Sequence, residues 1–173
     1  DHYILKGKSL SMALGKIIPG DKSPLLSVHP SYDLSQARPN DFLPKVGGMD
    51  FMSDGSLAIS VWDPSGAVYL LSNISSGDPS KIKVKQIASG LAEPLGLKVI
   101  NDTIYVMQKQ ELTRLVDTNG DQIIDEYQCI NNSWPASANF HEFGFGLAEK
   151  EGDLFATLAI AIQPGGASGL AQL

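Results

Sequence analysis

The sequence predicts an all-β fold, a fragment of a β-propeller made of four-stranded antiparallel blades. Two observations predict it. The 173 residues include 17 glycines and 10 prolines, a turn-rich composition that argues against a helical bundle. Three segments also share one pattern, in which a glycine leads an apolar strand, a polar turn and a second apolar strand. The leading glycines, Gly48, Gly96 and Gly144, are 48 residues apart, and a repeat of about 50 residues with hairpin signals is typical of propeller blades.

The first repeat supplies four predicted strands. Its hairpin runs through residues 47–52, a turn at 53–55 and a second strand at 57–61. A third apolar run occupies 67–71. Residues 82–87 alternate apolar and polar side chains, the pattern of an outer, half-exposed strand. Four consecutive strands of this kind make one blade.

The second repeat has the same order of elements. Residues 95–100 and 104–107 form its predicted hairpin around Asn101-Asp102, residue types that tolerate the positive φ of tight turns. Residues 111–116 alternate like a third strand, and a fourth strand is predicted to start near Tyr127. The second repeat is therefore also a complete blade.

The third repeat contains two predicted strands, residues 143–147 and 154–158. A closed propeller needs at least four blades, so we expect further blades outside this sequence. The chain divides into an irregular segment or part of an upstream blade (1–45), a blade (46–90), a second blade (91–138) and the start of a third (139–173).

Net charge, hydropathy and cysteine content disfavour several classes of partner and structure. The formal net charge of −6 and a pI near 4.9 disfavour a nucleic-acid partner, whose phosphates select basic surfaces. No run of about 18 apolar residues is present, so the sequence predicts no membrane-spanning helix. Cys129 is the single cysteine; it cannot form an internal disulfide, and we expect it to be a small buried hydrophobe.

An Asp-rich loop at residues 117–125 is the first candidate site. Its oxygen-bearing residues follow the spacing of the front of a calcium loop. The candidate Ca²⁺ ligands are Asp117, Asn119, Asp121, the carbonyl of Ile123, and Asp125. Gln122 and Gln128 replace the glycine and the bidentate glutamate of an EF-hand. The alternative is a polar hairpin loop in which Asp, Asn and Gly only favour the turn.

His141, which precedes the first strand of the third repeat, is the second candidate site. In a propeller the start of an inner strand lies near the central channel, where a histidine can act as a general base or a ligand. The alternative is a structural histidine that bonds neighbouring loops. Glu142 either orients His141 or faces solvent, and the second is expected because adjacent strand residues point to opposite faces. Trp62 and Trp134 are expected to be packing residues, with a sugar-stacking role at the channel rim as the alternative.

Several segments resemble a known family. Residues 89–97 are similar to the segment that leads into a blade in glucose/sorbosone dehydrogenase-like propellers, and His141 with Gly144 resembles a histidine-glycine motif of the same superfamily. Residues 44–51, 111–115 and 139–143 resemble a narrower group of large exported bacterial proteins. In that group the propeller is often joined to a c-type cytochrome domain or a trehalose-utilisation-like domain.

The resemblance implies a six-bladed propeller related to soluble quinoprotein glucose dehydrogenase. It implies that His141 takes the proton of a sugar or alcohol hydroxyl while hydride passes to pyrroloquinoline quinone, with a cytochrome c domain as electron acceptor. It also implies a periplasmic or cell-surface location. Glu142, Phe143 and Phe145 differ from the superfamily motif. The alternative is therefore a non-catalytic propeller that binds carbohydrate or a partner protein in a cell-surface assembly.

Overall fold

A computed structural model describes residues 35–137 and 142–159. The chain divides into two units, residues 1–35 and 36–173, and every described strand belongs to the second. His141 and the end of the chain beyond residue 159 lie outside the described residues.

Two four-stranded antiparallel sheets and one hairpin make up the second unit. Sheet 1 contains β1 (Val46–Phe51), β2 (Leu57–Val61), β3 (Val68–Ser72) and β4 (Lys83–Ala88). Sheet 2 contains β5 (Gly96–Ile100), β6 (Thr103–Met107), β7 (Leu112–Val116) and β8 (Glu126–Asn131). The hairpin consists of β9 (Gly144–Lys150) and β10 (Asp153–Leu158). Strands neighbour one another in chain order, so the prediction of an all-β chain with four-stranded antiparallel sheets is confirmed.

The first strands of the three sheets lie side by side, β1 against β5 and β5 against β9. Glycine permits this approach: a Cβ added to Gly48 would overlap the backbone nitrogen of Leu97, and one added to Gly96 would overlap the carbonyl oxygen of Gly146. A backbone hydrogen bond from Gly146 N to Leu95 O, 3.1 Å long, joins β9 to the start of β5. Gly48 and Gly96, which lead the first two repeats, are therefore points of close contact between neighbouring inner strands.

Gly144 leads the third repeat as the first residue of β9, but a different glycine makes the close contact with β5. Gly146, rather than Gly144, meets Gly96, while Gly144 packs against the Met107 side chain. Gly146 has φ +57°, and the β9–β10 register shifts between Phe155 and Thr157. A bulge of this kind adds a residue to one strand and moves the contact point along it.

One core lies between sheets 1 and 2. It contains Ala58 and Val68 from sheet 1, and Leu97, Val106 and Leu115 from sheet 2, all 4% exposed or less. A second cluster, which includes Leu57, Ile59 and Leu71, lies on the other face of sheet 1. Because successive strand residues point to opposite faces, the same strands also present a second set of side chains away from this joint.

The two ends of the sheets carry different connections. We call the end at which β1, β5 and β9 begin the upper face, and the end at which they finish the lower face. At the upper face, backbone hydrogen bonds run from Trp62 N to Lys45 O in sheet 1 and from Ala159 N to Phe143 O in the hairpin, each from the residue after the second strand to the residue before the first. In sheet 2 the bond from Lys109 N to Ala92 O lies farther from the strand ends.

Candidate functional site at the upper face

A cleft of about 320 Å³ opens at the upper face between sheets 1 and 2. Its lining includes Lys45, Trp62, Asp63 and Glu93. Trp62 is 45% exposed, and the Lys45 ammonium lies 5.4 Å from the centre of its ring. Trp62 is therefore a surface residue at a rim, and the expectation that it packs inside a blade is wrong.

The turn after Trp62 forms a rigid wall of this cleft. Asp63 Oδ1 accepts hydrogen bonds from the Ser65 hydroxyl and from Ser65 N, which together hold the pKa of Asp63 below its ordinary value. Gly66 has φ +50°, and an added Cβ there would overlap the Leu91 carbonyl. The turn is thus packed tightly against the Leu91 backbone. The Asp63 carboxylate is charged at neutral pH.

Glu93 connects the cleft to the next sheet. Its carboxylate lies 3.7 Å from the Lys109 ammonium, which is also 5.6 Å from the Phe143 ring centre. Trp134 donates its indole hydrogen to the Lys109 carbonyl at 3.0 Å. The upper face therefore presents a row of alternating charges and aromatic rings that crosses from sheet 1 to β9.

Glu142, the neighbour of His141, is 4% exposed. Its Oε2 accepts a hydrogen bond from Ser137 N at 2.8 Å. The expectation that Glu142 faces solvent is wrong, because the chain after β8 passes over it. His141 itself lies outside the described residues, so its predicted role stays a prediction.

The described upper face does not fit pyrroloquinoline quinone. This cofactor carries three carboxylates, which need basic partners. Lys45 and Lys109 are accompanied there by Asp63, Glu93 and Glu142, so acidic groups outnumber basic ones among the described residues. We therefore derive no step through the quinone from these residues.

The Asp-rich loop lies at the lower face, between β7 and β8. Asp117 accepts hydrogen bonds from three backbone N–H groups, those of Asn119, Gly120 and Gln122. Asp121 Oδ1 accepts one from Ile123 N. Asp125 accepts bonds from the Thr118 backbone and hydroxyl and from the Asn119 amide.

One feature of the loop resembles a calcium loop and another does not. Gln122 adopts φ +64°, so it takes the backbone conformation that the glycine of such loops usually supplies. The carboxylates, however, are directed to backbone groups, and no cluster of three His, Cys, Asp or Glu side chains that could hold a metal occurs among the described residues. The loop as folded fits the alternative of a polar turn, and calcium remains a prediction.

The loop also walls a cavity of about 550 Å³ at the lower face between sheets 1 and 2. Two bonds hold the loop against β4, one from Ile124 N to Ile87 O and one from the Lys85 ammonium to the Asp121 carbonyl. On the other side, Ser53 donates from its backbone and its hydroxyl to Asp102. The Asp-rich loop thus lies at the opposite end of the sheets from the cleft at Trp62.

Cys129 lies on β8 and is exposed. The expectation that it is buried is wrong, because β8 is the last strand of sheet 2. Partial desolvation and the nearby Glu111 carboxylate raise the pKa of its thiol, which disfavours the reactive thiolate.

The sequence alone does not predict that Lys45, Trp62 and Asp63 form one site. The signal that it does contain is the abrupt change from the apolar strand β2 to Trp62 and Asp63, just before the turn at residues 64–66. A large aromatic residue at such a boundary sits at a strand end rather than within the sheet.

Comparison of the chain with protein-family models, with curated proteins and with solved structures found no match. Among the described residues, no helix has the length and apolar character needed to cross a membrane.

Proposed function

We propose that the sheets are consecutive blades of a β-propeller and that the upper face of this propeller binds a sugar or a related alcohol. The propeller arrangement is supported by a difference in exposure between corresponding residues of the two sheets. Leu97 of sheet 2 is 4% exposed in the joint, whereas Met49, the corresponding residue of sheet 1, is 59% exposed.

Large exposed apolar side chains also occur farther along β1 and on the β9–β10 hairpin. Phe51 of β1 is 58% exposed, and Phe155 of β10 is 55% exposed. Val99, which corresponds to Phe51, packs on the core between the sheets. Both outer faces therefore present exposed apolar residues that another sheet of the same kind would bury. On sheet 1 these residues lie beside Leu57 and Ile59, which are already buried on the same face. Repetition of the joint between sheets 1 and 2 around an axis is the arrangement of a propeller.

The proposed ligand follows from the chemistry of the upper face. An exposed indole next to carboxylate and ammonium groups offers an apolar surface and hydrogen-bonding partners together, which suits a polyhydroxylated ring. Catalysis is the further part of this proposal: the protein is an exported dehydrogenase of sugars or alcohols, dependent on quinone, in which His141 is the general base and a cytochrome c domain receives electrons. The resemblance around His141 supports it.

A second candidate is a non-catalytic propeller that binds carbohydrate or a partner protein in a cell-surface assembly. The excess of acidic over basic groups near Glu93 and Glu142 favours it, because this balance disfavours a tricarboxylate cofactor.

One experiment separates the two candidates. The full-length protein is incubated with pyrroloquinoline quinone and Ca²⁺, and dye reduction is measured over a panel of sugars and alcohols. The dehydrogenase predicts turnover that is lost in His141→Gln and retained in the matched histidine control His29→Gln. Absence of both quinone binding and turnover at saturating quinone would reject the dehydrogenase and leave the binding propeller.

A further inference from the structure

We propose that the cleft around Trp62 is a binding subsite for one neutral pyranose ring, which stacks on the indole while Asp63 accepts hydrogen bonds from its hydroxyls. This inference rests on the proposed sugar-binding function and names the place and the chemistry of the ligand.

The cleft has the size and the rigidity of a binding site. Its volume of about 320 Å³ lies within the range of small-molecule pockets, roughly 300–1,000 Å³. Two backbone hydrogen bonds lock its floor, from Gly90 N to Ser65 O at 2.9 Å and from Leu91 N to Gly66 O at 3.1 Å. A wall that is already ordered reduces the entropy lost when a ligand binds.

Trp62 supplies the apolar contact. Its side chain leaves 45% of its surface exposed, although burial of an indole is strongly favourable. Lys45 fixes the ring by lying over it at 5.4 Å, which restricts its orientation. The C–H face of a pyranose is apolar, and its contact with the exposed indole would remove both surfaces from water.

Polar groups at the cleft select a neutral ligand. Asp63 is ionised and accepts from Ser65, and Glu93 is partly balanced by Lys109. Lys45 is the one basic side chain that lines the described cleft. With Glu93 paired to Lys109, Asp63 and Lys45 leave the cleft close to neutral, so it offers hydrogen-bonding partners to hydroxyl groups and no net positive charge to an acidic sugar.

The test measures methyl β-D-glucopyranoside binding to the full chain by calorimetry, with the β-sheet content of each variant checked by circular dichroism. Trp62→Ala should weaken binding by at least about tenfold, equivalent to ~1.4 kcal/mol. Trp62→Phe keeps a stacking ring and should bind within a few-fold of wild type. The corresponding methyl glucuronide should bind more weakly than the glucoside.

Trp134→Phe isolates the Trp62 signal, because the chain has two tryptophans and this variant leaves Trp62 as the only indole. Its fluorescence should change saturably with the glucoside. Equal binding by wild type and Trp62→Ala, or an unchanged emission of Trp62 up to the solubility limit of the sugar, would overturn the inference.

The outcomes separate this inference from the proposed function. Turnover of a sugar by the full-length protein, without any response of Trp62, would reject the subsite and keep the function. Loss of glucoside binding in Trp62→Ala, without turnover of any sugar, would keep the subsite and reject the dehydrogenase.

Discussion

Asp50 of β1 and Lys98 of β5 form an ion pair of 2.6 Å across the joint between sheets 1 and 2. The same carboxylate accepts a hydrogen bond from Val99 N at 3.0 Å. The Asp50 carboxylate thus pairs with a charged side chain and a backbone donor of the neighbouring sheet, two residues after Gly48, where an added Cβ would overlap the Leu97 backbone.

The first prediction concerns this pair. Asp50→Ala leaves the Val99 N–H without its partner as well as removing the charge, so we expect it to lower the free energy of unfolding by about 1–3 kcal/mol. Lys98→Ala removes only a partly exposed cation and should cost about 1 kcal/mol or less. Urea denaturation of both variants measures the difference. A larger loss in Lys98→Ala than in Asp50→Ala would contradict this account.

The second prediction is acid sensitivity of the same joint. Partial burial alone would raise the pKa of Asp50, but hydrogen bonds from Lys98, Val99 and Phe51 outweigh it and hold the pKa below 3.8. The stabilisation is therefore complete above an unfolded pKa of about 3.9 and is lost as pH falls through the lower folded value. Thermal unfolding between about pH 6 and pH 2 should show a smaller acid-induced decrease in Asp50→Asn than in wild type. Parallel pH curves for the two proteins would refute it.

Much of the fold was predictable because it depends on local patterns. Alternation located the strands, and Asn101-Asp102 marked a tight turn in which both residues have positive φ, +48° and +59°. The 48-residue period marked Gly48 and Gly96 as the leading residues of two repeats, and the structure shows why glycine stands there, since an added Cβ at either position would overlap the neighbouring backbone.

The remaining features depend on contacts between distant segments. The contact of Gly146 with Gly96 follows from a bulge, and the sequence spacing points to Gly144 instead. Glu142 is buried because residues near Ser137 cover it. The cleft at Trp62 needs both sheets, with Glu93 supplied by the second, so no local pattern in either repeat could reveal it.

The third prediction tests the glycine contact. An added methyl group in Gly48→Ala would overlap the Leu97 backbone, and overpacking of this kind costs about 1–3 kcal/mol. Gly77→Asn is the control, because Gly77 has open space around its Cα and asparagine tolerates its positive φ. Chemical denaturation should show a clear loss for Gly48→Ala and little change for Gly77→Asn. Equal stability of the two variants would show that β1 and β5 are not in tight contact.

The fourth prediction concerns calcium at the Asp-rich loop. If the loop binds Ca²⁺, its carboxylates must turn from the backbone N–H groups of Asn119 and Ile123 to the ion. Calorimetric titration with CaCl2 should then give a saturable signal that is lost in the Asp117→Ala, Asp121→Ala double variant. Asp78→Ala is the control, since Asp78 is also an acidic residue in a turn but lies outside the loop. Binding that is unchanged in the double variant would reject this site.

The fifth prediction tests the outer face of β1. Phe51 is 58% exposed in the described part of the chain, so an isolated pair of sheets should tolerate Phe51→Lys with a change of about 0.5 kcal/mol or less. In a full-length propeller a preceding blade would cover this residue. The same substitution would then remove about 1.5–3 kcal/mol of stabilisation from side-chain burial and would also bury a charge. Gln86→Lys is the control, because Gln86 is exposed on β4. Urea denaturation of the full-length protein should therefore show a loss for Phe51→Lys that is absent for Gln86→Lys, whereas equal stability of the two would show that no further sheet packs against β1.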